Sequence, residues 1–424
     1  MDCSSQLLAL CAPASFGDKR TRDEIHIKQM PPSINFSGRP IWAEISLGAV
    51  RRNLSAIQSL INSARPLDQK PCKVMSIVKA NAYGHGAVPI GKALAKAGAD
   101  WLGVSCLSEG VELRNAGIRL PILILGGYWP GEEKVLFEFG LSPAVTNCNQ
   151  LPLLERAAAR ALRQKRPFGF HLKINTGMNR LGIAPKDVDC FVRAVTQYPH
   201  LELQGTFTHF ASSELLDSEE TAIQQRRFAN VLLRMKDLGL SPGLIHMANS
   251  AAIAASPDTW CDMVRPGAAT YGYHPNYSPA NRQKEFEKRL SLEPVLSLRT
   301  RIIAVRDLEP GDGVGYNARF IASRPSRIAV IAAGYADGLL RGLGSRGSVI
   351  VRGRPAPIVG SISMDTATID VTEVEGSAVG DIVTIYGTGG SRSRTAADLS
   401  LELGTVVQDV LCAIGPRVRR IYVE

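Results

Sequence analysis

The chemistry of this chain gathers first around one lysine. In Val78-Lys79-Ala80-Asn81-Ala82-Tyr83-Gly84-His85-Gly86, Lys79 stands where an apolar run, Val74-Met75-Ser76-Ile77-Val78, gives way to a glycine-containing turn. The run reads as a buried strand. Its low-dielectric surroundings favour the neutral amine, the form that condenses with a carbonyl to a Schiff base. A lone lysine at a strand end more often only snorkels to water, so its neighbours decide. Other apolar runs also close on polar residues: His209 in Thr206-Phe207-Thr208-His209-Phe210, Asn249 and Ser250 in His246-Met247-Ala248-Asn249-Ser250, and Arg265 in Val264-Arg265-Pro266-Gly267. The Gly267 turn and the Asn249-Ser250 pair suit an anion, because backbone N–H groups and a hydroxyl can ring a phosphate at helix N-termini. Taken alone, Gly267 is a turn glycine.

These residues need a scaffold that brings strand ends together. Apolar runs at 73–79, 100–105, 121–126, 141–146, 168–174, 203–209, 244–247 and around 263–271 read as strands. Helix-like segments at 87–97, 107–116, 150–163, 186–196 and 219–238 lie between them. About eight strand–helix alternations over roughly 240 residues predict an α/β fold, a (β/α)8 TIM-like barrel, with a doubly wound open sheet as the alternative. In such a barrel the C-terminal strand ends form one rim, so Lys79, His209, Ser250 and Arg265 converge there, with the anion turn in the seventh and eighth loops. From about Leu290 the texture changes to β-branched residues and glycine turns, at 299–305, 327–331, 348–351, 367–371 and 381–385. That pattern predicts a C-terminal, mostly antiparallel β domain. The expected organisation is an N-terminal extension over 1–37 ending near Pro31-Pro32, the barrel over 38–288 and the β domain over 289–424.

Composition narrows the class. A chain of 424 residues exceeds the usual single-domain range, and 45% hydrophobic with 21% charged residues is ordinary for a soluble globular protein. The formal charge of +10 is spread along the chain rather than gathered in a basic block, which argues for solubility and an anionic ligand rather than nucleic acid. No apolar run approaches the roughly 20 residues that span a bilayer. The short apolar run at 7–14 has nothing basic before it and does not read as a signal peptide. Eight cysteines form no CxxC pair or Cys/His cluster, so no metal site is expected and a reducing, cytoplasmic location is.

The lysine segment resembles the pyridoxal 5'-phosphate (PLP) motif of the alanine racemase family, the fold-type III amino-acid racemases, and further motifs match in order over most of residues 39–419. The resemblance implies that Lys79 carries PLP as the N6-pyridoxal phosphate lysine, that Tyr83 reaches the phosphate, and that His209, Ser250, Arg265 and Gly267 are cofactor-binding. In Leu172-Lys173-Ile174-Asn175-Thr176-Gly177-Met178-Asn179-Arg180, it implies that Arg180 bonds the cofactor's phenolic oxygen beside the substrate and that Lys173 is open to carbamylation. Gly313-Val314-Gly315-Tyr316 is similar to the motif of a catalytic tyrosine. Ala333-Gly334-Tyr335-Ala336-Asp337-Gly338 and Ser363-Met364-Asp365 match entrance and substrate-contact motifs, which makes Met364 substrate-binding. The implied activity is interconversion of L- and D-alanine by two bases, Lys79 acting on the D-enantiomer and Tyr316 on the L-enantiomer, supplying D-alanine for peptidoglycan. Inversion needs proton-transfer groups on opposite faces, because one base would only return the proton. An ordinary tyrosine hydroxyl titrates near ~10 and needs positive neighbours, which the family supplies through positions matching His209 and Arg265. The family's tyrosine comes from a partner subunit, which implies a homodimer with shared sites.

One position departs from the family. In Leu403-Gly404-Thr405-Val406-Val407-Gln408-Asp409-Val410-Leu411-Cys412, Gln408 stands where the family has a tyrosine that narrows the pocket. This leaves a relaxed-specificity racemase, acting on serine or more broadly, beside strict alanine specificity; a neighbour that fills the gap is equally compatible. A fold-type III PLP decarboxylase would place a carboxylate on the pyridine nitrogen, which Arg265 speaks against. A non-catalytic PLP-binding module would lack the domain that carries Tyr316.

Overall fold

Short strands buried on both faces form the first layer. The structure, a computed structural model, describes residues 38–63, 65, 69–161 and 167–424. The extension expected over 1–37 and the end of the helix expected over 150–163 lie outside these residues. The described chain opens with β1 (Ile41–Ser46) and a helix (Leu47–Ser63) that buries Val50, Leu54, Ile57 and Ile61, an apolar stripe at helical spacing. Eight parallel strands follow: β2 (Lys73–Ile77), β3 (Trp101–Val104), β4 (Ile122–Ile124), β5 (Ser142–Val145), β6 (Phe168–Lys173), β7 (Leu201–Phe207), β8 (Leu244–His246) and β9 (Met263–Val264). Their spatial order is β8-β7-β6-β5-β4-β3-β2-β9. Hydrogen bonds from Asp262 N–H to the Ile245 carbonyl (3.0 Å) and from Arg265 N–H to the Ala248 carbonyl (3.0 Å) draw the ends together. The result is the expected barrel. Continuous apolar runs such as fully buried β3 and β4 suit strands covered on one face by barrel interior and on the other by helices.

The second layer is a nine-stranded sheet, mostly antiparallel. It contains β10 (Leu296–Leu308), β13 (Ser326–Ile331), β14 (Ser348–Val351), β15 (Arg354–Val359), β16 (Ala367–Asp370), β17 (Ile382–Gly389), β18 (Arg392–Arg394) and β19 (Arg419–Val423), while β11 (Gly313–Val314) and β12 (Phe320–Ile321) form a separate hairpin. Its ninth strand is β1, which lies in the sequence segment assigned to the barrel but pairs antiparallel with β10 and parallel with β19. Ile41, Trp42, Ala43 and Ile45 are buried in that position. The stretch around 263–271, read as one strand, is a strand for two residues only; Ala268–Tyr271 then winds into a 3-10 helix. No helix among the described residues is long and apolar enough to cross a membrane.

Candidate active site

Lys79 follows β2 after one residue and begins a turn in which Ala80, Asn81, Ala82 and Tyr83 all take left-handed backbone angles, with φ between 52° and 54°. Four such non-glycine residues in a row are unfavourable, so other contacts must hold them. Those contacts are present. Ala80 N–H donates to Glu109 Oε1 (2.7 Å), Ala87 N–H to Asn81 Oδ1 (2.8 Å), Arg420 Nε to the Gly84 carbonyl (3.1 Å) and the Tyr422 hydroxyl to the His85 carbonyl (3.1 Å). Gly84 has φ 80°, and a Cβ there would lie 2.3 Å from the Leu411 carbonyl oxygen, which seats the Val407–Cys412 helix on the lysine turn. Burial, and then the charge of Arg180, lowers the Lys79 pKa; Glu109 and Cys412 oppose the shift. The shift is toward the free amine, the direction its strand-end position predicts.

Beside this turn the rim forms an anion cradle. Ser250 Oγ accepts N–H bonds from Gly267 (2.9 Å) and Ala269 (3.2 Å), so both its lone pairs are engaged and its proton remains to be donated. Burial raises the pKa of Tyr83 and keeps its hydroxyl a neutral donor. A Cβ on Gly267 would lie 2.6 Å from the Tyr83 hydroxyl and 3.9 Å from Ser250 Oγ, so the missing side chain leaves the space between two O–H donors. The residues therefore fit a phosphate. Asn249 instead caps the Ser250–Ala255 helix, its Oδ1 accepting from Ala252 N–H (3.1 Å) and from the Ser213 hydroxyl (2.9 Å).

Arg265 is buried between β8 and β7. Its Nη2 donates to the carbonyls of Thr208 (2.7 Å) and Met247 (3.1 Å) and to His209 Nδ1 (3.2 Å), and its Nη1 to His246 Nδ1 (3.2 Å). A guanidinium only donates, which fixes the tautomers: His209 and His246 both carry their protons on Nε2. His246 Nε2 then donates to His171 Nδ1 (2.9 Å), leaving a proton on His171 Nε2. All three rings are held neutral, chiefly by burial and then by Arg265. Burial brings the Arg265 pKa down to about 9, which leaves it charged at neutral pH.

Lys173 Nζ lies over the Phe207 ring, 5.6 Å from its centroid, and is buried. Desolvation and the charges of Arg180, Arg265 and Lys79 bring its pKa down to about 8. Lys173, Met178, Arg180 and His209 line one small cavity. The rim thus collects four cationic side chains, and Glu109 is the carboxylate that acts on Lys79. That imbalance calls for anionic ligands.

The structure brings Lys79, Tyr83, Lys173, Arg180, His209, Ser250, Arg265 and Gly267 to one rim. It does not bring Tyr316 or Met364 into that hydrogen-bonded cluster. Tyr316 is 72% exposed on the turn after β11, and Met364 is 52% exposed. Sequence reasoning missed Glu109, His171 and His246. For His171 a signal existed: it lies two residues before Lys173 on β6 and therefore on the same inward face.

The chain matches the families described as alanine racemase, N-terminal domain, over residues 45–275, and alanine racemase, C-terminal domain, over residues 295–422. It is 37% identical over 384 residues to an alanine racemase of Halothermothrix orenii, covering 91% of this chain and 97% of that protein. It is 38% identical over 390 residues to one of Geobacter sulfurreducens, covering 91% and 98%. Among solved structures, an alanine racemase of Clostridium difficile 630 aligns with a TM-score of 0.82 at 32% identity, covering 91% of this chain and 96% of that one. An alanine racemase of Bartonella henselae with covalently bound pyridoxal phosphate aligns with a TM-score of 0.78 at 27% identity, covering 91% and 99%.

Proposed function

The chain belongs to the alanine racemase family, PLP-dependent isomerases that interconvert L- and D-alanine, and from that premise we propose that Lys79 and Tyr316 are its two proton-transfer groups. The observation that carries the reading is the convergence on one barrel rim of a half-buried lysine shifted toward its free amine, a cradle with two hydroxyl donors, and a buried arginine. Tyr83, Ser250 and the Gly267 turn would hold the phosphate of PLP, Lys79 its carbonyl carbon, Arg265 its ring nitrogen and Arg180 its phenolic oxygen. When bound there, PLP supplies the electron sink that acidifies the substrate's α-proton.

The remaining steps belong to the protein. Lys79 Nζ takes or returns the α-proton on the face used by the D-enantiomer, and the Tyr316 hydroxyl does so on the opposite face. Arg265 donates to His209 Nδ1, so His209 Nε2 presents a proton where it can stabilise a phenolate. Arg265 keeps its own proton and cannot protonate the ring as a carboxylic acid would, which restrains side reactions. Lys173, with its pKa near 8, has enough free amine at neutral pH to take up carbon dioxide, and the resulting carbamate would hold Arg180.

Tyr316 is exposed on the β domain, which supports a homodimer whose partner supplies the tyrosine to each barrel. Met364 then belongs with Tyr316 on the substrate-facing wall. Six described cysteines are free, which fits a cytoplasmic setting. Mixing two inactive variants tests the assignments together. Lys79→Ala should abolish the visible band of lysine-bound PLP, and Tyr316→Phe should retain it while losing exchange of the α-proton from L-alanine far more than from D-alanine. Mixed chains should regain activity, since a mixed dimer has one intact site. A wild-type band that survives Lys79→Ala, or equal loss for both enantiomers, would overturn the proton-transfer assignment.

A further inference from the structure

Glu109 sits in the first turn of the helix Leu107–Asn115, after β3, and neither of its carboxylate oxygens serves that helix's own N–H groups. Oε1 accepts from Ala80 N–H (2.7 Å), the residue directly after Lys79, and Oε2 accepts from Ser105 N–H (2.7 Å), directly after β3. One carboxylate therefore staples the C-terminal ends of two adjacent barrel strands. The Ala80 bond is the one that matters for chemistry. It fixes the peptide unit joining Lys79 to the left-handed turn, at the residue where the chain first enters that unfavourable region. A peptide free to rotate there would swing the Lys79 side chain away from the substrate's α-carbon.

We propose that Glu109 is a positioning residue for Lys79, acting through the backbone of the lysine turn and not by touching the substrate. The inference rests on Lys79 being the PLP-bound lysine. The chemistry of the staple requires a carboxylate. Both atoms must accept, and a glutamine offers one accepting oxygen and one NH2 group, whose hydrogens would face an N–H donor. An aspartate is one methylene shorter and cannot span both strand ends. The charged and titratable groups facing Lys79 are Arg180 and Lys173 from the β6 side, neutral His209, the Cys412 thiol of the Val407–Cys412 helix, and Glu109 itself. Glu109 is thus also the negative charge that moderates the amine.

The near-isosteric Glu109→Gln is the test, made in the full-length protein with PLP bound. Amide hydrogen exchange at Ala80–Gly84 and Ser105 should accelerate about 10–100-fold, the factor that a hydrogen bond to a charged group supplies, while β13 and β16 keep wild-type protection. The value of kcat should fall about 10–100-fold with KM changed less, as a small displacement of a reacting group predicts. The pH at which the visible PLP band titrates should also move, a shift that mere loosening of the fold would not produce. Exchange and kcat at wild-type values would overturn the proposal. So would accelerated exchange spread evenly through both domains, since that marks Glu109 as a general stabiliser. Glu109→Ala, which removes both bonds and leaves no opposed donor, should give the same pattern. A wild-type protein without a Lys79-dependent band would instead refute the reading of Lys79, whatever Glu109 does.

Discussion

Substituting Gly267 with alanine places one methyl group where the phosphate cradle has none to spare. The new Cβ would lie 2.6 Å from the Tyr83 hydroxyl, well inside contact distance, but 3.4 Å from the ring carbon that carries that hydroxyl. The Gly267 backbone is held by its N–H bond to Ser250 at 2.9 Å, and the Tyr83 ring packs on Tyr271 with centroids 4.9 Å apart. The hydroxyl must therefore be displaced, and overpacking of this kind costs about 1–3 kcal/mol. Losing a hydrogen bond to a charged phosphate contributes about 1.5–3 kcal/mol, so PLP should bind about 10–100-fold more weakly. Tyr83→Phe alone should weaken binding by a similar factor. With the oxygen gone the nearest ring atom is at ordinary contact distance, so adding Gly267→Ala to Tyr83→Phe should change affinity by less than about threefold. The assay is absorbance titration of PLP into cofactor-free single and double variants. If the two losses simply add, the clash with the Tyr83 hydroxyl is not what Gly267 avoids, and the cradle as described is wrong.

Gln408 stands where the family has a tyrosine, on the helix that packs against the lysine turn. Changing it to Tyr should lower the serine-to-alanine ratio of kcat/KM by a factor on the order of 10, and a ratio unchanged within error would show that a neighbour already fills the space. Stability should fall in mild acid. Burial brings His85 down to about 4 and His171 to about 3, whereas in the unfolded chain each takes up a proton near pH 6.5. Between those limits the unfolded state binds more protons, so stability present above pH 6.5 is lost as pH drops, by about 2 kcal/mol per histidine at pH 5. Urea midpoints that coincide at pH 7 and pH 5 would contradict it.

The barrel was legible because its strands are short apolar runs ended by polar residues and followed by helical spacing. The same feature pointed to Lys79, His209, Ser250 and Arg265. Three things were hidden, each for a physical reason. Strand β15 carries Pro355 and Pro357, and proline argues against a strand; it survives here because the proline-bearing part, Arg354–Pro357, pairs with β14 alone, while Ile358 and Val359 pair with β16. Strand β1 precedes the barrel in sequence but joins the other sheet, a choice made by pairing with β10 and β19, which lie more than 240 residues downstream. The left-handed turn at 80–83 contains one asparagine, the one residue of the four that visits this region readily, and is enforced by Glu109, Arg420 and Tyr422 from distant segments. Tyr316 and Met364 carry no local signal of chemistry; the family resemblance alone singled them out.

The division between lysine and arginine across the site follows from what burial does to each. Desolvation moves Lys79 and Lys173 toward free amines, and both assigned roles, carrying a carbonyl carbon and taking up carbon dioxide, need that uncharged nitrogen. Arg265 is buried more deeply than either, yet its guanidinium spreads its charge and meets two carbonyls and two imidazole nitrogens, so it stays protonated. A lysine in its place would be a compact ammonium whose charge is not delocalised, and burial would push it toward the free amine as it does its neighbours. The histidines could then adopt either tautomer, and His209 would no longer be bound to present its proton on Nε2. The charge on Arg265 therefore does more than serve the role proposed for it toward the cofactor ring: by donating in two directions it sets the proton position on His209 and, through His246, on His171.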